Sequence, residues 1–214
     1  MPNNHLAAAA AVWRAGLLLC QTLGRRSINP SEPGSLLDGF AIEECFHSGG
    51  MAYIYSLHCA SGANDPGFLM AMKIPRMTAS DGAENIISFE VEHQLLQLLA
   101  SRHVPRFVAA GDLHNVPYLV MEYVQGMTLD HWVPESGGAP TPLTHGTLAN
   151  LGAAAAHAVH SLHQHNTCHL DLKPANVLIK PDGKAVLLDF GPSCHAPYPD
   201  LLAEEMRKAV GSPV

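Results

Sequence analysis

The chain has 214 residues, 47% of them apolar and only 14% charged, with a formal charge of −7 from 19 acidic and 12 basic residues. This is a globular composition, long enough to bury one core or two small ones. The absence of any Lys/Arg run argues against nucleic acid as a partner. Five cysteines (Cys20, Cys45, Cys59, Cys168, Cys194) have no C-x-x-C spacing, which argues against a disulfide framework or a Cys-based zinc site and points to a reducing cytoplasm.

Residues 1–37 read as an extension. Leu6 to Leu23 is rich in Ala and Leu but carries Arg14 and Gln21. It lacks the basic start and small-residue cleavage site of a signal peptide and is short for a membrane span, so no membrane segment is expected. An amphipathic helix packed on the domain or on a partner is predicted there, followed by a Pro/Ser/Gly linker from Asn29 to Gly34. Short strands come next. Phe40 to Phe46 and Ala52 to His58 form a predicted hairpin joined by Ser48-Gly49-Gly50, and Phe68 to Ile74 is a third strand that Pro75 ends. From Glu84 to Ala100 the apolar residues Ile87, Val91, Leu95, Leu98 and Leu99 recur at helical spacing. Two further strands are expected around Arg106 to Ala110 and Tyr118 to Tyr123. After Gly126 the pattern turns helical, with a long apolar helix near Leu143 to His165. The expected fold class is α+β, a strand-rich part over residues 38–125 and a helical part over 126–214.

Most of the chemistry lies late in the chain. Cys168-His169-Leu170-Asp171-Leu172-Lys173-Pro174-Ala175-Asn176 is followed by Asp189-Phe190-Gly191. An Asp to orient a hydroxyl, a Lys to neutralise a phosphate, and an Asn and a second Asp to hold Mg²⁺ are what phosphoryl transfer needs. Upstream, Gly49 and Gly50 in the hairpin turn let backbone N–H groups approach a phosphate with no Cβ in the way. Lys73, on a strand, needs an acid to hold its flexible stem. Glu90 and Glu92 on the next helix are the rivals, about 200° apart around it. His157, His160, His163, His165 and His169 fall close together, and some of their spacings suit a metal. The plainer account is a helix leading into the Asp171 loop.

Over about residues 38 to 214 these motifs resemble those of the protein kinases, in the wording Gly49-Gly50-Met51-Ala52-Tyr53-Ile54-Tyr55 of the bacterial-type Ser/Thr enzymes. The resemblance implies a bilobal fold, a strand-rich N-lobe and an incomplete helical C-lobe. It implies ATP and Mg²⁺ as cofactors and phosphoryl transfer to Ser/Thr hydroxyls of a protein substrate. Asp171 then matches the catalytic base, Lys173 the γ-phosphate contact, and Asn176 and Asp189 the metal ligands. Ala71-Met72-Lys73 is similar to the third-strand lysine motif, with Lys73 on the α- and β-phosphates and Glu92 holding it. Phe46 to Ile54 is similar to the Gly-rich loop. Tyr118 to Gly126 resembles the hinge, where the Glu122 carbonyl and the Val124 N–H would bond adenine and Met121 would be the gatekeeper. Phe46, Ile54, Ala71 and Leu178 would sandwich the ring.

The chain also departs from the family pattern. His47 and Ala52 replace two of the three loop glycines, and Leu170 stands where an Arg commonly pairs with a phosphorylated activation loop. After Gly191 only Ser193, Tyr198 and Ser212 could accept a phosphate, so activity independent of loop phosphorylation is expected. Gly211-Ser212-Pro213-Val214 resembles the start of the G-T-P-x-Y-x-A-P-E segment. The helical part is therefore expected to expose apolar surface to a partner chain, or to be marginally stable without one. Two alternatives stand beside the kinase. One is a catalytically impaired, pseudokinase-like nucleotide-binding or scaffolding fragment. The other is a small-molecule phosphotransferase, which Asp171-Leu172-Lys173 and the glycine hairpin disfavour.

Overall fold

The computed structural model describes residues 34–61, 65–76, 82–111, 117–132 and 143–195. The helix expected over Leu6 to Leu23 and the Gly211 to Val214 motif lie outside the described residues. The chain divides into two units, one running to His93 with Phe107–Tyr123 added, the other made of Gln94–Arg106 and the residues from Val124 onward.

The first unit is built on an antiparallel sheet of six strands: β1 (Leu36–Leu37), β2 (Phe40–Ser48), β3 (Ala52–Cys59), β4 (Met70–Pro75), β5 (Phe107–Ala110) and β6 (Leu119–Glu122). They lie in the order β1-β2-β3-β4-β6-β5. The period of two explains how the sheet divides its labour. Along β4, Met70, Met72 and Ile74 are buried in a core with Ile42, Tyr55, Leu57, Tyr118 and Val120. Ala71 and Lys73 alternate with them and so point to the opposite face. Register carries that second face across the sheet, since Lys73 is opposite Ile54 and Ala71 is opposite Met121. Four of the predicted nucleotide residues are thereby gathered on the side that the core does not use. Pro75 is itself the last residue of β4, opposite Ala52, rather than a stop beyond the strand. The Tyr118 hydroxyl donates to Asp38 Oδ2 (2.7 Å). Burial and this acidic partner raise its pKa well above the ordinary tyrosine range.

Helix α1 spans Gly82–Leu98. Its buried residues are not quite the predicted stripe. Ile86, Phe89, Val91, Leu95 and Leu96 are buried, whereas Leu98 is 49% exposed. Glu92 falls among the buried residues at 2% exposure, a place where an acid is stable only with a partner.

In the second unit, β7 (Met127–Thr128) and a 3-10 turn (Leu129–Trp132) precede helix α2 (His145–Gln164). Thr144 caps α2 by accepting a hydrogen bond from the Thr147 N–H at 3.1 Å, which is why the helix starts later than the apolar pattern suggests. Asn166, at φ 54°, turns the chain out of α2. The chain continues through β8 (Thr167–Cys168), a 3-10 turn (Pro174–Asn176), β9 (Val177–Ile179), β10 (Ala185–Leu187) and β11 (Cys194–His195). These strands make two small antiparallel sheets, β10-β9-β7 and β11-β8, and α2 packs on β8, β9 and β10.

Two glycines in this unit predict opposite outcomes for one substitution. A Cβ at Gly126 would lie 2.4 Å from the Ile179 carbonyl oxygen, whereas at Gly152, within α2, it would meet nothing within 4 Å. Gly126→Ala is expected to destabilise by about 1–3 kcal/mol as β7 is pushed from β9. Gly152→Ala should stabilise by up to about 1 kcal/mol. Urea unfolding of the two variants beside the parent chain checks both signs.

Candidate active site

The first half of the site lies within the first unit. Lys73 Nζ donates to Glu92 Oε2 at 2.5 Å, with both side chains largely withdrawn from solvent. Glu90 lies instead 3.6 Å from His93 Nδ1 on the same helix, so it is Glu92 that meets the lysine. Removing either partner of such a pair leaves a buried charge, at a cost of about 3–5 kcal/mol. The turn between β2 and β3 is held by a residue that the sequence did not single out, Arg76. Its guanidinium donates to Ser48 Oγ (2.6 Å) and covers the Tyr53 ring, 4.2 Å from the centroid. Its backbone N–H bonds the Met51 carbonyl (2.8 Å). Gly49 N–H donates to the Ala52 carbonyl (3.1 Å), which closes the turn. Of the other predicted residues, Phe46 meets Tyr123 edge-on, with centroids 5.1 Å apart. Glu122 ends β6 opposite Met70.

The second half lies within the second unit. Lys173 Nζ donates to Asp171 Oδ2 at 2.6 Å, and Asn176 Nδ2 donates to the Asp171 carbonyl at 2.9 Å and to Oδ2 at 3.1 Å. Pro174 starts the short 3-10 turn that brings Asn176 back over Asp171. With its amide nitrogen engaged, Asn176 keeps Oδ1 as the atom to offer a cation. The Leu188 N–H donates to the Asn176 carbonyl (2.9 Å), and His169 Nε2 donates to the Leu188 carbonyl (2.9 Å). These bonds bring the loop of Asp171 against the loop of Asp189. Leu170 and Asp189 take φ of 60° and 62°, a left-handed conformation that costs non-glycine residues of order 1–3 kcal/mol. Here the surrounding bonds enforce it. Val124 and Leu178, two more predicted residues, share a small buried cluster with Val186.

Asn176 Oδ1 and the Asp189 carboxylate are hard oxygen donors, the set that Mg²⁺ takes. Among the described residues no group of three or more His, Cys, Asp or Glu side chains is placed to hold a metal, and three histidines bond backbone carbonyls instead. His169 bonds Leu188, His103 Nδ1 donates to the Ala185 carbonyl (2.8 Å), and His165 Nδ1 donates to the Ser161 carbonyl (2.7 Å).

A family model, the protein kinase domain, matches residues 49–213. The chain belongs to the protein kinase family. This kinase domain is 27% identical, over 71% of its length, to a probable serine/threonine-protein kinase of Clostridium perfringens, of which it covers 21%. It is 32% identical, over 57% of its length, to the serine/threonine-protein kinase PrkC of Bacillus subtilis, covering 18% of that protein. It is 29% identical, over 74% of its length, to PknB of Mycolicibacterium smegmatis, covering 25%. The chain thus spans about a fifth of the length of the first curated relatives that it matches. The solved structure of PpkA-294 in its apo form superposes with a TM-score of 0.63 at 19% identity, over 76% of this chain and 62% of that one. The fold is therefore the α+β fold of the protein kinases, within a bacterial-type Ser/Thr group. Among the described residues no helix is long and apolar enough to cross a membrane.

Leu170 is 51% exposed and so forms no part of the core. Ser193, a predicted phosphate acceptor, is fully buried and its Oγ donates to the His169 carbonyl (3.0 Å). As placed, it is not open to phosphorylation.

His169 provides a pH test. Its Nε2–H is committed to Leu188, its ring packs on Phe190 with centroids 5.1 Å apart, and its Nδ1 is buried without a hydrogen-bond partner among the described residues. Burial lowers its pKa below the ordinary value, more strongly than the Leu188 carbonyl, Asp189 and Asp171 raise it. The unfolded chain therefore takes up this proton first. The contribution of His169 to stability is present above about pH 6.5 and is lost as pH falls toward the lower folded value. Thermal midpoints measured from about pH 7.5 down to about pH 5.5 should fall for the parent chain, and less steeply for His169→Asn.

Proposed function

We propose that this chain carries the ATP-binding and catalytic-loop part of a Mg²⁺-dependent serine/threonine protein kinase acting in the cytoplasm. The observation that carries the reading is the bonding of Lys173 and Asn176 to Asp171, in a loop tied through Leu188 to the segment that bears Asp189. By this reading residues 38–125 form the N-lobe and 126–214 part of the C-lobe. Lys73, steadied by Glu92, meets the α- and β-phosphates. Gly49 and Gly50 allow backbone N–H groups near them. Glu122 and Val124 bond adenine through the backbone, with Met121 behind and Phe46, Ile54, Ala71 and Leu178 around the ring.

Asp171, fixed by its two hydrogen-bonded neighbours, accepts the proton of the attacking Ser or Thr hydroxyl, and Lys173 places its charge beside the phosphoryl group. Mg²⁺, when bound by Asn176 and Asp189, supplies neutralisation of the phosphate charge. The exposed Leu170 and the buried Ser193 support activity that does not wait for phosphorylation of the activation loop.

A second reading, a nucleotide-binding protein with impaired transfer, is favoured by the glycine turn. His47 replaces a family glycine, and its Nε2 lies only 2.9 Å from where a Cβ on Gly49 would be. Asp171→Asn separates the two readings. For the kinase, γ-phosphoryl transfer from ATP to a generic protein substrate should drop by about 10²–10⁴-fold while ATP·Mg affinity holds. Binding of ATP·Mg by the parent chain with no transfer under any condition would favour the second reading.

A further inference from the structure

We propose that Cys168 and Cys194 form a redox-responsive pair that a peroxide closes into a disulfide across β8 and β11. The two residues are directly opposite in this antiparallel ladder, as are Thr167 and His195 beside them. Facing residues of an antiparallel pair have Cα atoms about 4.5 or 5.5 Å apart, according to the type of pair. Both separations fall within the roughly 4.4–6.8 Å that a disulfide spans. Facing side chains also share one face of the ladder. The neighbouring pair demonstrates this alignment: Thr167 Oγ1 donates to the His165 carbonyl (3.1 Å) and so accepts from His195 Nδ1 (2.9 Å), on the buried side. Alternation then sends both cysteines to the other side, where Cys168 is exposed, Cys194 is half-buried and both thiols are free.

Cys45 and Cys59 have no such geometry, since their opposite residues are Tyr55 and Phe40. The Ser193 Oγ bond to the His169 carbonyl (3.0 Å) further holds the two strands in this register. The chemistry balances with one peroxide molecule. A thiol of the pair is oxidised to the sulfenic acid with release of one water. The second thiol then attacks that sulfur, forming the S–S bond and releasing a second water. A dithiol reductant reverses the step. The closed loop contains Asp171, Lys173, Asn176 and Asp189. Any consequence for transfer rests on the kinase reading, whereas formation of the bond does not.

The test is to treat the full chain with near-stoichiometric hydrogen peroxide and follow intact mass, peptide linkage and melting. The expected result is a loss of two hydrogens per chain, a peptide joining Cys168 to Cys194, and a thermal midpoint raised by about 5–10 °C. All three should be reversed by dithiothreitol. Cys168→Ser and Cys194→Ser should each abolish the linkage and the midpoint shift, while Cys45→Ser should keep both. Recovery of Cys168 as a sulfinic acid or joined to another cysteine, with Cys194 still alkylatable, overturns the proposal. So does a linked peptide whose formation lowers the midpoint. Loss of kinase activity for any other reason leaves these readouts unchanged.

Discussion

Leu188 is held at both ends of its backbone. Its carbonyl accepts from His169 Nε2 and its N–H donates to the Asn176 carbonyl, each at 2.9 Å. One residue without a functional side chain thus joins the start of the Asp171 loop, its end, and the segment that opens at Asp189. Each bond contributes on the order of 1 kcal/mol, but a buried group left unpaired costs more, so the connection is cooperative. It also sets the state of His169, which must carry its proton on Nε2 to donate. The left-handed turns at Leu170 and Asp189 are sustained because the residues beside them, His169 and Leu188, cannot leave their partners.

In the first unit the governing contrast is between the two faces of one sheet. The core face holds Met70, Met72 and Ile74, and the other face holds Ala71, Lys73, Ile54 and Met121. A lysine on a sheet face needs a counter-charge, and α1 supplies Glu92 from among its buried residues. This pair is better understood as positioning Lys73 than as stabilising the fold, because the desolvation of two charges offsets much of their attraction. Arg76 plays a comparable part at the β2–β3 turn. It joins Ser48, Met51 and the Tyr53 ring, and so restrains a turn that has Ala52 and His47 where the family pattern has glycine.

Much of the fold was legible. The strands around Tyr55, Lys73 and Val120 and the two long helices follow from periodicity, and the Asp171 and Asp189 motifs from residue type and spacing. Where the structure departs from the sequence pattern, a particular competing effect is responsible. The helix near Leu143 begins later because Thr144 caps it. Leu98 fits the helical spacing yet is exposed, since spacing gives a stripe but not what covers it. Ser193 has the hydroxyl of a phosphate acceptor, yet it is buried and bonded to the His169 carbonyl, which residue type does not reveal. Arg76 carried no signal, being one basic residue after a strand.

What the sequence determined alone was the chemistry on offer: an Asp, a Lys, an Asn and a second Asp at fixed spacing, a strand lysine, and a glycine turn between strands. These follow from residue type and short-range order. Tertiary structure decided which groups meet: Glu92 rather than Glu90 with Lys73, Leu188 as the connection between loops, and Cys168 opposite Cys194. Those pairings depend on long-range register and on burial, which residues far apart in the chain set together. Of five cysteines without a motif, the register of two short strands sets two opposite each other.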